Sequence, residues 1–144
     1  MTRVDDAVDC FTSGFCCSQA VLSAYCDMFG LDRNQAYRVS GPFGVGMGRM
    51  CETCGAVTGA FMVLGLKYGK VIADDNSRRE QSFAKVREFS EAFRKKNGSI
   101  VCLELMGCDM GTPEGMQHAK ENGLRITRCT SYVRDAAEIL ERIL

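Results

Sequence analysis

Apolar residues recur at helical spacing along almost the whole chain, and only two prolines interrupt it. Alternating β-branched runs, the mark of half-buried strands, are scarce. That pattern restricts the chain to helices packed on helices. Val4, Ala7, Val8 and Phe11 mark a first short helix. Ser18 to Phe29 reads as a second, with Val21, Leu22 and Tyr25 at helical spacing and Gly30 placed for a left-handed C-terminal cap. Asp32 caps a third, short helix through Val39. Glu52 to Lys67 is an apolar fourth helix. Asp74 or Asp75 to Lys96 is a long amphipathic helix, with Phe83, Val86, Phe89, Ala92 and Phe93 as its buried stripe and Gly98 at its end. Ser99 caps a short helix through Cys102, Leu103 and Leu105. Residues 107–123 read as the least ordered connection, with one helical turn at most. Thr130 to Leu144 closes the chain, turning Val133, Ala136, Ala137, Leu140 and Ile143 inward.

A chain of 144 residues can bury its own core, and neither a fixed-period repeat nor a linker divides it. The expectation is an all-α, single-domain bundle of five or six helices over residues 1–144, with a glycine-rich loop before the central apolar helix.

Two adjoining segments depart from ordinary helix. In Ser40–Gly48, four glycines within eight residues forbid regular helix and invite positive φ. The alternation Gly44-x-Gly46-x-Gly48 is not the phosphate-binding G-x-G-x-x-G, and no strand precedes it. It reads as a tight turn, or as a nest of backbone N–H groups facing anionic sulfur. Next, Cys51-x-x-Cys54 runs into Gly55-x-x-x-Gly59 and Ala56-x-x-x-Ala60, a small-residue face that lets another helix approach closely. With the helix starting near Glu52, Cys54 falls in its first turn, where free N–H groups and the helix dipole stabilise a thiolate or a metal ligand. A thioredoxin-type pair needs a βαβ setting, and a zinc ribbon needs a second Cys-x-x-Cys; neither is present.

Charge narrows the function. Lys+Arg and Asp+Glu balance at 18 each, which argues against a bulk electrostatic role on nucleic acid or on a membrane surface. The longest apolar run, Ala56 to Leu66, is shorter than the roughly 20 residues a membrane span needs. The start, MTRVDDAVDC, has no apolar export core. The protein reads as cytoplasmic.

In that setting nine cysteines point to redox chemistry or metal ligation rather than a static disulfide framework. Cys10 and Cys26 sit inside helical patterns and read as packing residues. Cys17, Cys54, Cys102 and Cys129 each fall near an expected helix start, and a bundle can gather helix ends at one pole. His118, the only histidine, lies in a polar segment and reads as solvated.

The blocks Phe15-Cys16-Cys17-Ser18-Gln19-Ala20-Val21, Phe43–Gly48, Cys54-Gly55-Ala56-Val57-Thr58-Gly59, Cys102-Leu103-Glu104-Leu105 and Cys129–Val133 are spread along nearly the whole chain. Together they resemble the redox-active protein family named for its C-GCAxxG-C-C cysteine pattern. That family is also similar to a helical domain of split-Soret cytochromes, thought to carry an iron–sulfur centre. The resemblance implies Cys17, Cys54, Cys102 and Cys129 as the working group, with Cys16, Cys51 and Cys108 as extras. Two mechanisms share the quartet. In one, a thiolate, Cys54 first, attacks a disulfide and a neighbouring cysteine resolves it. In the other, the four sulfurs hold an iron–sulfur cluster or zinc for electron transfer, with Gly44, Gly46, Gly48 and Gly55 cradling the group. A non-catalytic helical interaction module is the third reading. No Cys-x-x-Cys-His stretch exists, so covalent haem is not implied. The expected partner is an unidentified redox protein or electron carrier, and a homodimer is compatible with the sequence.

Overall fold

Caps set the helix boundaries. In this computed structural model, which describes residues 1–144, the Thr2 hydroxyl accepts from the Asp5 N–H while the Asp5 carboxylate accepts from the Thr2 N–H. This starts α1, Arg3–Thr12. The Asp32 carboxylate accepts the Gln35 N–H and starts α3, Arg33–Ser40; Asp75 does the same with Arg78 for α5, Asn76–Asn97. Gly30 and Gly98 end their segments in the left-handed conformation, where a Cβ would be strained. The other α-helices are α2, Cys17–Tyr25; α4, Gly55–Tyr68; α6, Cys102–Met106; α7, Pro113–Glu121; and α8, Thr130–Ile143.

The fold is all-α: eight α-helices with short 3₁₀ turns, a π-helical turn and no strand. No helix is long and apolar enough to cross a membrane. The core forms where α2 and α4 lie against each other, flanked by α1, α5 and α8. Phe11, Leu22, Val57, Leu64, Phe89, Phe93, Val133 and Leu140 fill it. Tyr25 reaches across, its hydroxyl bonding to the Ala137 carbonyl and the Glu141 carboxylate. A second, smaller apolar cluster of Cys51, Cys102, Met106, Ala119 and Leu124 sits beyond the N-terminal end of α4.

Several boundaries differ from those expected, each for a local reason. The apolar helix begins at Gly55, because residues 52–54 pair with residues 100–102. Cys54 N–H donates to Ile100 O at 2.7 Å, Cys102 N–H donates to Glu52 O at 2.6 Å, and Thr53 bridges Val101. Cys54 is therefore the N-cap of α4 and lies outside its first turn. By fraction, α2 is more buried than α4: seven of its nine residues against eight of fourteen. Ser99 does not cap α6; its hydroxyl accepts the Val101 N–H, and Val101 takes the cap position. Phe83 is 50% exposed because α5, 22 residues long, outruns the core and buries only its second half. The 107–123 segment contains α7, capped by the Thr112 hydroxyl on the Gly115 N–H with Pro113 at its start. Finally, residues 125–129 form a π-helical turn continuous with α8. Cys129 thus lies within a helix, not at its start.

The small-residue face of α4 behaves unevenly along its length. A Cβ at Gly59 would lie 2.7 Å from the Ser18 carbonyl oxygen of α2, whereas one at Gly65 would meet nothing within 4 Å. Gly59→Ala is therefore expected to destabilise the fold by roughly 1–3 kcal/mol through overpacking. Gly65→Ala, in open space on the same helix, should stabilise by about 0.5–1 kcal/mol. Urea unfolding midpoints of the two variants check this; shifts of the same sign would contradict the close α2–α4 contact.

Candidate functional site

The site begins with an unusual turn. After a 3₁₀ turn at Gly41–Phe43, the residues Val45, Gly46, Met47, Gly48 and Arg49 all have positive φ, one left-handed helical turn. Cys51 adds a further positive φ of 58°. For a non-glycine residue this conformation costs about 1–2 kcal/mol, and for β-branched Val45 it is a marked outlier. Neighbours hold the turn in place. Glu52 N–H donates to Gly46 O at 3.0 Å. A Cβ on Gly46 would lie 2.7 Å from the Cys102 Cβ, the Cys51 Cα and the Glu52 nitrogen alike. The turn directs the Val45 N–H onto the sulfur of Cys17.

Cys17 is the first residue of α2. Two side chains tie that helix start to the end of α3: the Ser18 hydroxyl donates to Ser40 O at 2.7 Å, and the Gln19 amide donates to Tyr37 O at 3.0 Å. From the other side comes α4, with Cys54 as its N-cap. A Cβ on Gly55 would stand 2.6 Å from the Cys17 sulfur, so only glycine admits this approach. The Cys54 thiol hydrogen-bonds Cys17. That bond first, and then the N–H groups of Ser18, Val45 and Cys17 itself, hold the Cys17 thiol down to about 7 against the opposing effect of burial. The same bond and burial push Cys54 well above the ordinary thiol range. Cys17, half-buried, and Cys54, 6% exposed, line one cavity. Their mutual interaction first, and then the N–H groups of Ser18, Val45 and Cys17, thus favour the thiolate on Cys17 over Cys54.

Cys102 and Cys129 line the same cavity, of about 430 Å³. Cys102 opens α6 with its thiol beside that of Cys51, and burial, with the neighbouring Cys51, Cys17 and Cys129, pushes it up to about 12. Cys129 donates to the Met106 sulfur at 3.5 Å and is likewise pushed up to about 12, chiefly by burial. The four cysteines therefore form one hydrogen-bonded pair with two protonated neighbours. They do not close into a coordination sphere: no three His, Cys, Asp or Glu side chains gather as a metal-holding group.

The remaining candidates scatter. Gly46 and Gly55 line the cavity; Gly44 packs where a Cβ would lie 2.6 Å from the Cys16 sulfur, and Gly48 stands clear of the cysteines. Cys51 turns away from Cys54, its sulfur accepting the Met110 N–H at 3.2 Å. Cys108 contacts the Met110 sulfur. Cys10 and Cys26 bond to the Ser23 hydroxyl and carbonyl, outside the cavity. His118 is exposed and beside Asn122. Sequence reasoning missed the rest of the lining: Met106, Met110 and Met116, and the cations Arg49, Lys120 and Arg125. Only the capping signal Thr112-Pro113, which announces α7, pointed toward these residues.

A family model described as "Putative redox-active protein (C_GCAxxG_C_C)" matches residues 15–143. No curated protein and no solved structure matches the chain.

Alkylation rates separate these thiols. Iodoacetamide is expected to label Cys17 first, with a rate that rises through a midpoint near pH 7 as the thiolate forms. Cys102 and Cys129, pushed up to about 12, should stay slow through neutral pH. Peptide mapping of labelled protein across pH checks the order; Cys54 labelling ahead of Cys17 would contradict it.

Proposed function

The chain belongs to the C_GCAxxG_C_C redox-active family, and we propose that its chemistry is thiol–disulfide exchange by Cys17 and Cys54. The observation that carries this reading is their close approach in one cavity: a Cβ on Gly55, the residue after Cys54, would stand 2.6 Å from the Cys17 sulfur, and both cysteines line the cavity, Cys54 the more buried. A thiolate with pKa near ambient pH is the most effective attacking thiol.

The Cys17 thiolate attacks one sulfur of a substrate disulfide. A mixed disulfide forms on Cys17, and the other half of the substrate leaves as a thiolate. Cys54, already in contact, then attacks the Cys17 sulfur and displaces the second thiolate, which takes up the Cys54 proton. The substrate gains two electrons and the protein gains a Cys17–Cys54 disulfide. A dithiol redox partner restores the pair by the reverse exchange. Cys102 and Cys129, protonated at neutral pH, line the cavity and keep it apolar.

Trapping tests this. With hydroxyethyl disulfide, Cys54→Ser is expected to accumulate one mixed disulfide at Cys17, because the resolving thiol is gone. The unaltered protein should pass to an intramolecular Cys17–Cys54 bond, and Cys17→Ser should form neither. Iron with acid-labile sulfide, or zinc, co-purifying in stoichiometric amount and lost in both variants would overturn the reading for ligation. A Cys17→Ser protein as reactive as the unaltered one would remove Cys17 from the attacking role, and a protein with no reactive thiol and no metal would overturn the reading for an interaction module.

A further inference from the structure

The cavity above Cys17 is larger than a thiol pair requires. About 430 Å³ lies within the range of small-molecule sites. Its wall is apolar, with the thioethers of Met106, Met110 and Met116 prominent; these adapt to ligands of varied shape. Met116, Ala119 and Lys120 present one face of α7 to it, so this short helix exists in part to close that side.

The charge on the lining is one-sided. Arg49, Lys120 and Arg125 line the cavity, all three are exposed, and no Asp or Glu lines it. None of the three takes part in any of the chain's ion pairs. In a protein whose charges sum to zero, three unpaired cations around one opening create a local positive field. Arg125 is held in position without being neutralised: Nη2 donates to Phe11 O at 2.9 Å and Phe15 O at 3.1 Å, and the guanidinium lies 3.9 Å from the centre of the Phe11 ring. Carbonyls and a ring face fix the group yet leave its positive charge uncompensated, which suits a fixed recognition element for an anion.

We propose that the cavity takes a low-molecular-weight anionic disulfide with an apolar body, its charged end at Arg49, Lys120 and Arg125 and its sulfur–sulfur bond at Cys17. The inference rests on the thiol–disulfide reading above and names its substrate class. The thioether wall holds the body and keeps water from the reacting sulfurs. The rim draws the anion in and orients it, and the exchange then follows the two steps already given.

The test compares three disulfides against Cys17: dianionic dithio-bis-nitrobenzoate, neutral dithiodipyridine and dicationic cystamine. Each rate is divided by that of a small reference thiol with the same reagent, which removes differences in leaving group. At low salt the normalised rate with the dianion is expected to exceed that with the neutral reagent by about tenfold, and cystamine should fall below both. About 0.5 M salt should remove the preference in the unaltered protein. The double variant Arg49→Ala/Lys120→Ala should lose most of the dianion's advantage while its rate with dithiodipyridine stays within about twofold. Equal normalised rates for the three reagents, insensitivity to salt, or an unchanged dianion rate in the double variant would overturn the anionic class and leave the exchange reading standing. Failure of Cys17 to react with any of the three would remove that reading and this inference with it.

Discussion

The closeness of α4 to α2 is the constraint on which the cysteine chemistry depends. At Gly59 the backbones of the two helices nearly touch, and at Gly55 the helix start rests on the Cys17 sulfur itself. With any side chain at Gly55, Cys54 would be carried away from Cys17 and the thiol–thiolate bond would be lost. Ser18 serves both sides of this arrangement. Its carbonyl meets the Gly59 position, and its hydroxyl fixes the end of α3. Packing and chemistry are thus set by the same few residues.

The left-handed turn is the second element, and it is held by the first. Val45, Met47 and Arg49, with Cys51 just beyond, occupy a conformation that costs about 1–2 kcal/mol per residue. Such strain persists only where surroundings over-determine it. Here the pairing of residues 52–54 with 100–102 and the wedge of Gly46 against Cys102 supply that restraint. In return the backbone presents the Val45 N–H to Cys17 and places Arg49 on the cavity rim. The π-helical turn at 125–129 plays a corresponding part on the far wall. It aims Arg125, Ile126 and Cys129 into the cavity, as π-turns in helices often do at functional sites.

Most of the helical frame was legible because its signals are local. Asp32 and Asp75 announce helix starts, and Gly30 and Gly98 announce ends. The quartet was legible as a set, by resemblance, and all four cysteines line one cavity. Its internal roles were not. Cys17 and Cys54 both stand at helix starts, so propensity cannot tell which carries the charge; that depends on the Val45 N–H, delivered by a non-local turn. Cys51 looks like the partner of Cys54 at three residues' distance, yet its left-handed backbone turns its sulfur to Met110 and Cys102. Cys129 seemed to open a helix because a π-turn shifts the phase of apolar spacing by one residue. The Thr112-Pro113 cap of α7 was readable and was masked by the glycines around it. The cationic rim drew on three distant segments, and charge counted over the whole chain concealed it.

The most direct test is a redox titration of the full chain against glutathione buffers, with the disulfide formed at each potential mapped by peptide mass spectrometry. The account predicts that the first bond to form joins Cys17 to Cys54, while Cys51, Cys102 and Cys129 remain as thiols. A first bond between Cys51 and Cys54, or any first bond that leaves Cys17 free, would contradict it.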